Sequence, residues 1–231
     1  MLDFEKLSIS PAKILFICMF SSLCLFLASI FPQPAVSVAE KYTSSPVSYH
    51  RVKYVYDGDT VLLDHHQKVR FLGINAPEVD HKGKAGEFMA QDAWRFNRGK
   101  VEGFQVRLEF DSERHDRYGR LLAYVFLRNG KMVNALLVRK GLAHVMFYSK
   151  NHKYRDLLLR CQREAMKERL GIWSRSVNGK EKFYLGNRIS FRFHASGCPF
   201  GRKISKKNLV RFKTRRAAFW EGYSPCKHCC P

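Results

Sequence analysis

Five short runs rich in Val, Leu, Phe and Tyr constrain most strongly what this chain can fold into. Turn signals at Asp57-Gly58 and Asn129-Gly130 interrupt the pattern. Runs of this length and composition are typical of strands. The five predicted strands are Arg51–Tyr56, Thr60–Asp64, Lys68–Ile74, Gly103–Phe110 and Leu121–Leu127.

Three further segments place apolar residues at helical spacing. They are Gly86–Arg98, Lys131–Lys140, and the stretch that begins at Tyr154 and runs to Leu170-Gly171. Gly141 and Gly171 follow the second and third segments and are typical of helix ends. Five short strands with three helices predict a mainly β domain, a small closed barrel with helices packed on it.

The charge of the chain is strongly basic, at a formal value of +21. Residues 1–39 contribute no net charge, whereas residues 40–174 carry +9 and residues 175–231 carry +12. Such a surface attracts polyanions, because phosphate neutralisation supplies most of the non-specific affinity for nucleic acid. Charge alone leaves open a soluble basic surface or attraction to anionic membranes.

The N-terminal segment has the pattern of a targeting sequence. Lys13 precedes an apolar run of 18 residues, Ile14–Phe31, and Ser37-Val38-Ala39 supplies small residues before a possible cut at Glu40. We therefore assign residues 1–39 to a signal peptide or membrane anchor and residues 40–50 to a linker. An uncut run is long enough to span a bilayer. We expect a monomeric exported protein, periplasmic or secreted, with membrane attachment only if the segment is retained.

Three motifs carry groups suited to phosphodiester hydrolysis: Asp57-Gly58-Asp59-Thr60, Arg70 through Glu78, and Asp116-Arg117-Tyr118-Gly119-Arg120. Carboxylates hold a hard cation, another carboxylate acts as a base, and guanidiniums bind phosphate. Each motif on its own can have a purely structural role. An Asp-Gly-Asp-Thr turn, for example, is commonly only a β-turn. The convergence of all three indicates a nuclease.

Together with Gly130-Lys131-Met132-Val133-Asn134, Leu137 through Ala143 and Leu170-Gly171-Ile172-Trp173, these motifs resemble the thermonuclease family, of the staphylococcal nuclease type. The resemblance covers about Arg51 to Trp173, so we place the domain at residues 51–174. It implies a five-stranded oligonucleotide-binding (OB) fold barrel and calcium-dependent cleavage of DNA and RNA.

The same resemblance assigns roles around a calcium ion. It implies that Asp59 is a direct ligand, that Asp57 reaches the ion through water, and that Ala76 offers its backbone carbonyl. Asn75 stands where the family prototype has an aspartate ligand. An amide oxygen can coordinate calcium but carries no net charge, so we expect weaker binding.

The resemblance also assigns the reacting groups. Arg70 and Arg120 match the two arginines that hold the phosphate, and Glu78 matches the proposed general base. Tyr118 and Phe147 match aromatic residues that contact substrate. Phe147 replaces a tyrosine, so it can stack on a base but offers no hydroxyl.

The C-terminal segment carries a second set of candidate ligands. His194 and Cys198 form one close pair, and Cys226 and Cys229 form another. This spacing predicts a structural tetrahedral zinc site, with disulfides or free thiols as the alternatives and Cys230 as a possible substitute for Cys229. We assign residues 175–189 to a linker and residues 190–231 to a small zinc-binding α/β module that needs the metal to fold. We expect the barrel to stay folded without it.

The stretch between these pairs, from Ile204 to Cys226, resembles the metal-binding domain of the bacterial adaptive-response methylphosphotriester DNA repair protein. His194 stands where that domain has a cysteine, which disfavours methyl transfer but leaves metal binding and backbone contact. The sequence therefore predicts an exported calcium-dependent nuclease with a zinc-stabilised nucleic-acid-binding module. The alternative is a catalytically weak nucleic-acid-binding protein tethered at the cell envelope.

Overall fold

The computed structural model describes residues 48–80, 86–148, 150–176, 179 and 181–231. The segment assigned to a signal or anchor, residues 1–39, lies outside the described residues. Within these described ranges, every helix is too short or too polar to cross a bilayer.

The described residues form a series of short strands and helices. The strands are β1 (Tyr49–Val55), β2 (Thr60–Leu63), β3 (Lys68–Phe71), β4 (Ile74–Asn75), β5 (Gln105–Glu109), β6 (Leu121–Leu127), β7 (His144–Val145), β8 (Tyr184–Asn187), β9 (Arg192–Ala195), β10 (Leu209–Phe212) and β11 (Ser224–Pro225). The helices are α1 (Ala90–Val101), α2 (Val133–Arg139), α3 (Arg155–Lys167), α4 (Pro199–Arg202) and α5 (Arg215–Trp220).

Five of these strands close into a barrel in the order β1-β2-β3-β6-β5, which confirms the predicted architecture. The pair β3 and β6 is parallel, and the other neighbouring pairs are antiparallel. Valines dominate the barrel core, because branched side chains fit a pleated surface. Val55, Val61, Val69, Val106 and Val125 are fully buried there.

The third predicted strand, Lys68–Ile74, is shorter than expected. It ends at Phe71, because Gly73 adopts a left-handed backbone with φ of 75° and turns the chain away. Ile74 and Asn75 then form β4, which pairs with β7 outside the barrel. This turn takes Asn75 off the barrel wall and towards the Asp57-Gly58-Asp59 turn.

The first predicted helix begins later than expected. Met89 has a φ of 68°, which a right-handed helix cannot include, so α1 starts at Ala90 rather than near Gly86. The second and third helices form within their predicted segments. Along α3, Leu158, Cys161 and Ala165 are buried, as their spacing predicted.

A second sheet, in the order β10-β8-β9-β11, forms with α4 and α5 what we call the C-terminal module, residues 184–231. Its first strand, β8, lies within the stretch 175–189 that was assigned to a linker. The hydrophobic core of the module also includes Ala165, Met166 and Trp173, which precede the expected boundary. The module therefore shares a core with the end of α3 and with Trp173, separate from the barrel core, and both parts belong to one compact unit.

Candidate active site and metal centre

The turn Asp57-Gly58-Asp59 between β1 and β2 is folded tightly against the chain after β4. The Asp59 backbone N–H donates to Asp57 Oδ1 at 2.8 Å. A Cβ on Gly58 would lie 2.5 Å from the Ala76 Cβ and 2.8 Å from that of Ala93. Only glycine allows this approach, which lets the Ala76 N–H donate to Asp59 Oδ2 at 2.6 Å. The glycine thus brings the two predicted ligand segments together.

Side chains of helix α1 donate hydrogen bonds to backbone carbonyls at the start of the same turn. The fully buried Asn97 donates from Nδ2 to the Asp57 carbonyl at 3.1 Å. One turn earlier, Trp94 Nε1 donates to the Val55 carbonyl at 3.0 Å. Neither role could be predicted from sequence, because both depend on a helix that crosses the end of a distant strand.

Arg70, on β3, connects the acidic turn to Asn75. Its guanidinium forms an ion pair with Asp59, and both side chains are buried. The other terminal nitrogen donates to Asn75 Oδ1 at 2.9 Å. Asn75 Nδ2 in turn donates to the Ala76 carbonyl at 3.2 Å. The four predicted calcium-binding positions and Arg70 are therefore linked by direct hydrogen bonds or ion pairs.

Two acids in this cluster share a single guanidinium. Burial and the Asp59 carboxylate raise the pKa of Asp57 to about 7. Arg70 alone therefore does not offset the charge of both carboxylates when they are ionised. Its donors are carboxylate, amide and carbonyl oxygens, which are the ligands that hard divalent cations prefer. The residues present therefore fit an oxygen-ligated cation.

Glu78 follows the cluster, with its side chain exposed to the cleft. Partial burial and the Asp59 charge raise its pKa, whereas Arg70 and Lys227 act in the opposite direction. Its backbone N–H donates to Glu87 Oε2 at 2.9 Å, which anchors the segment. A carboxylate with a raised pKa, open to water, is suited to accept a proton.

The turn before β6 presents Tyr118 and Arg120. Asp116 Oδ1 accepts the backbone N–H groups of Tyr118 at 2.9 Å and of Arg120 at 3.0 Å. Asp116 Oδ2 accepts from Arg120 Nε at 2.7 Å. This orients the guanidinium at 5.6 Å from the centre of the Tyr118 ring, which is 67% exposed.

Five of these groups line one cleft of about 900 Å³. Arg70, Asn75, Glu78, Tyr118 and Arg120 all contribute to it.

The expectation for Phe147 is corrected by its burial. Its ring is only 1% exposed and packs at 6.4 Å from the ring of Phe191, so it offers no face to a base. The neighbouring Tyr148, which sequence reasoning missed, is 46% exposed and lines the cleft instead. The signal in the sequence was the pair of adjacent aromatic residues, of which the more polar Tyr148 is the one expected to face solvent.

The structure also brings the predicted zinc ligands together. Ligand atoms of His194, Cys198, Cys226 and Cys229 all lie within 4.8 Å of one another. Cys230 instead directs its Sγ to the Lys227 carbonyl at 3.2 Å, outside this group. None of the five cysteines among the described residues is in a disulfide. One nitrogen and three sulfurs at this spacing fit a tetrahedral zinc ion.

The fold and the cleft together define a class of protein. A closed five-stranded barrel with acids, a glutamate and two arginines at one edge is the arrangement expected of an OB-fold nuclease of the thermonuclease type. Comparison with known proteins supports the same class. Residues 68–175 match the family described as Staphylococcal nuclease homologue, and residues 172–231 match the Metal binding domain of Ada.

Individual relatives agree with these matches. Thermonuclease of Staphylococcus intermedius is 40% identical over 127 residues, which are 54% of this chain and 75% of that protein. Thermonuclease of Staphylococcus hyicus is 36% identical over 128 residues, with the same shares. Endonuclease YncB of Bacillus subtilis (strain 168) is 38% identical over 125 residues, 52% of this chain and 59% of that protein.

The chain belongs to the staphylococcal nuclease family, and its C-terminal segment is of the Ada metal-binding type. It is a hydrolase of the nuclease class.

Proposed function

We propose that this chain is an exported, calcium-dependent nuclease that hydrolyses phosphodiester bonds of DNA and RNA and uses a zinc-stabilised module to bind nucleic acid. The observation that carries the proposal is the convergence of Glu78, Arg70 and Arg120 in one cleft, where Arg70 is also paired with Asp59 of the acidic turn. Any of these residues alone has a structural explanation. Together they supply a base and two phosphate-binding cations in one cleft, with the candidate cation ligands joined to it through Arg70 and Asn75.

Glu78 is the proposed general base. Its carboxylate faces the cleft, and its raised pKa makes it a better proton acceptor than an ordinary surface glutamate. It takes the proton of the attacking water, while the water oxygen forms the new bond to phosphorus. The departing oxygen takes up a proton from solvent, so that each cleavage consumes one water molecule.

Arg70 and Arg120 are the proposed phosphate-binding residues. Negative charge grows on the phosphoryl oxygens as water attacks, and positioned guanidiniums stabilise that charge. Asp116 fixes the orientation of Arg120 through its contact with Nε, so the terminal nitrogens remain directed towards substrate. Arg70 is fixed by its contacts with Asp59 and Asn75.

Asp59, Asn75 and the Ala76 carbonyl would hold the calcium ion, with Asp57 acting through water. Bound calcium would neutralise a phosphate oxygen and lower the cost of ionising the attacking water. The placement of two carboxylates beside a single guanidinium and next to Ala76 supports this assignment. The neutral side chain of Asn75 predicts a weaker site than two aspartates in direct contact would form.

His194, Cys198, Cys226 and Cys229 would hold the zinc ion. The core of the module is small even with the α3 residues that complete it, and such modules generally require a metal or disulfide to fold. Export is proposed from the apolar run Ile14–Phe31 after Lys13. Sequencing the N-terminus of protein recovered outside the cytoplasm tests it, and a chain that begins at Met1 would argue for a retained anchor.

The proposed activity is tested by incubating the purified chain with plasmid DNA and with a structured RNA. We expect cleavage of both with calcium and none with a calcium-selective chelator. Binding to both nucleic acids without cleavage at any calcium concentration would leave only the alternative of a binding protein.

A further inference from the structure

The cleft has a second wall, formed by the C-terminal module. Arg192, Phe200, Lys227 and His228 line the same cavity as Arg70, Glu78 and Arg120. We call these four residues the module wall. They come from β9, from α4 and from the loop between Cys226 and Cys229. The staphylococcal nuclease match ends at residue 175, so this wall lies outside the part of the chain that the family match covers.

The module wall is held in a fixed position relative to the barrel. The fully buried Gln162 accepts the Val145 N–H at 2.7 Å and donates to the Phe219 carbonyl, so one side chain joins both parts. Arg163 Nε donates to the Trp220 carbonyl at 2.9 Å, and an arginine of α5, Arg216, donates to the Met166 carbonyl at 3.0 Å. A wall with these attachments presents its side chains without prior rearrangement.

The module wall exposes aromatic rings to the cleft. The Phe200 side chain is 56% exposed, and its ring meets that of His228 edge-on at 4.9 Å and 73°. Tyr118 and Tyr148 expose rings on the barrel side of the same cavity. Aromatic faces in a groove are the usual platform for unstacked nucleobases, since every base has a π face.

Cations accompany these rings. Lys227 is exposed and close enough to Glu78 for its charge to act on that carboxylate. Arg192 lies with its guanidinium 5.5 Å from the centre of the Tyr148 ring. Rings for bases together with cations for phosphates match a single nucleic-acid strand, and the position beside the proposed base makes that strand the substrate itself.

We propose that Phe200, His228 and Lys227 form a nucleotide subsite beyond the two nucleotides that flank the scissile phosphate, with the Phe200 ring stacking on a base, the His228 ring edge-on beside it and Lys227 contacting a phosphate. The inference rests on the proposed nuclease function and specifies its substrate, which is a strand with an unstacked base. Lys227 and His228 lie between two of the predicted zinc ligands, so zinc binding also holds the subsite in place.

The test compares oligothymidylates of two lengths. For Phe200→Ala, we expect the ratio of kcat/KM for an octanucleotide to that for a dinucleotide to fall about tenfold, the scale of one lost stacking contact. Phe200→Trp should keep the wild-type ratio, because it retains a stacking face. Ile189→Ala and Lys207→Ala, exposed residues of the module outside the cleft, are the matched controls.

Binding gives a readout that does not depend on cleavage. The affinity of a fluorescein-labelled octathymidylate, measured by anisotropy with a calcium-selective chelator, should weaken about tenfold in Phe200→Ala. In Lys227→Ala, the slope of log affinity against log salt should decrease by about 0.7, as one phosphate contact on a single strand predicts. Zinc content should match the wild type in each variant.

The outcomes separate the two proposals. A wild-type chain that cleaves neither oligonucleotide with calcium overturns the proposed function, and the anisotropy measurements still decide the subsite. A cleaving wild type whose length ratio and affinity are unaffected by Phe200→Ala overturns the subsite alone.

Discussion

At the scale of single residues, Glu78 combines an exposed side chain with a raised pKa. Glu78→Gln keeps the shape but removes the proton acceptor, so we expect cleavage to fall by about a hundredfold or more. The midpoint of thermal unfolding should stay near the wild-type value. Glu168→Gln, at an exposed position after α3, is the control and should keep full activity. A fully active Glu78→Gln would remove this residue as the base.

The two cleft arginines should respond differently to truncation. Arg70→Ala leaves the buried Asp59 carboxylate without its partner, which predicts a loss of unfolding free energy of about 3–5 kcal/mol. Arg120→Ala breaks a more exposed pair with Asp116, so about 1 kcal/mol or less should be lost. Both variants should lose about a hundredfold in cleavage. Urea unfolding beside kinetics checks the contrast, and equal stabilities would contradict the buried pair.

Asn75 offers a gain-of-function prediction. Asn75→Asp adds a carboxylate beside Arg70 and the acidic turn, so calcium should bind more tightly. The calcium concentration that gives half-maximal cleavage should decrease. Asn187→Asp in the C-terminal module adds the same charge away from the cleft and should leave that concentration unchanged. An unchanged midpoint in Asn75→Asp would show that residue 75 does not contact the ion.

At the scale of elements, β5 is joined to the start of α3 by the Glu109 carboxylate. Burial alone would raise the pKa of Glu109, but hydrogen bonds from Lys153, Arg107 (2.9 Å) and Tyr154 (2.7 Å) lower it to about 2. Because the folded pKa lies below the ordinary value, the stabilisation is present above about pH 4.5 and is lost as the pH falls towards 2.

Glu109→Gln should therefore lower the unfolding free energy at pH 7, and its difference from the wild type should shrink as the pH falls below about 4.5. Urea unfolding at a series of pH values measures this difference. Glu168→Gln should stay close to the wild type throughout. A difference that is constant with pH would show that the Glu109 contacts do not stabilise the fold through charge.

The order of the five barrel strands and three helices along the chain could be predicted from sequence, because period-two and helical patterns are local properties. The early end of β3 could not, because Phe71, Leu72 and Ile74 are equally apolar and only Gly73 marks the turn. The candidate zinc ligands could be named from their spacing, and the candidate calcium ligands from the resemblance to the thermonuclease family. The burial of Phe147 could not, because it depends on Phe191, which lies far along the chain.

At the scale of the whole molecule, the shared core of α3, Trp173 and the C-terminal module predicts that the stability of the nuclease domain depends on the module. Truncation after Ser174 would expose Ala165, Met166 and Trp173 and would leave the Gln162 amide without the Phe219 carbonyl. We expect the shortened chain to unfold at a lower temperature and to bind a hydrophobic dye. A truncated barrel with the full-length unfolding temperature would contradict the shared core.

The predicted zinc site also affects the whole molecule, because its four ligands join two distant parts of the C-terminal module. Cys226→Ser should reduce the zinc content from about one ion per chain to well below that, because a thiolate ligand is lost. Elemental analysis measures the content, and limited proteolysis should reveal faster cleavage after Ser174. Cys230→Ser, whose sulfur lies outside the cluster, is the control and should keep its zinc. Equal zinc in both variants would contradict the ligand assignment.

The Gln162 side chain limits how the barrel and the C-terminal module can be recombined with segments of other proteins. Its amide accepts from the Val145 backbone N–H on the barrel side and donates to the Phe219 carbonyl in the C-terminal module. Both hydrogen bonds form only if the main chain of each part lies in a compatible position. A chimera in which the new C-terminal segment displaced this carbonyl would bury an amide with an unmet hydrogen bond, at a cost of about 1–3 kcal/mol. An exchange of either family segment is therefore expected to succeed only where the main chain keeps its position at this contact.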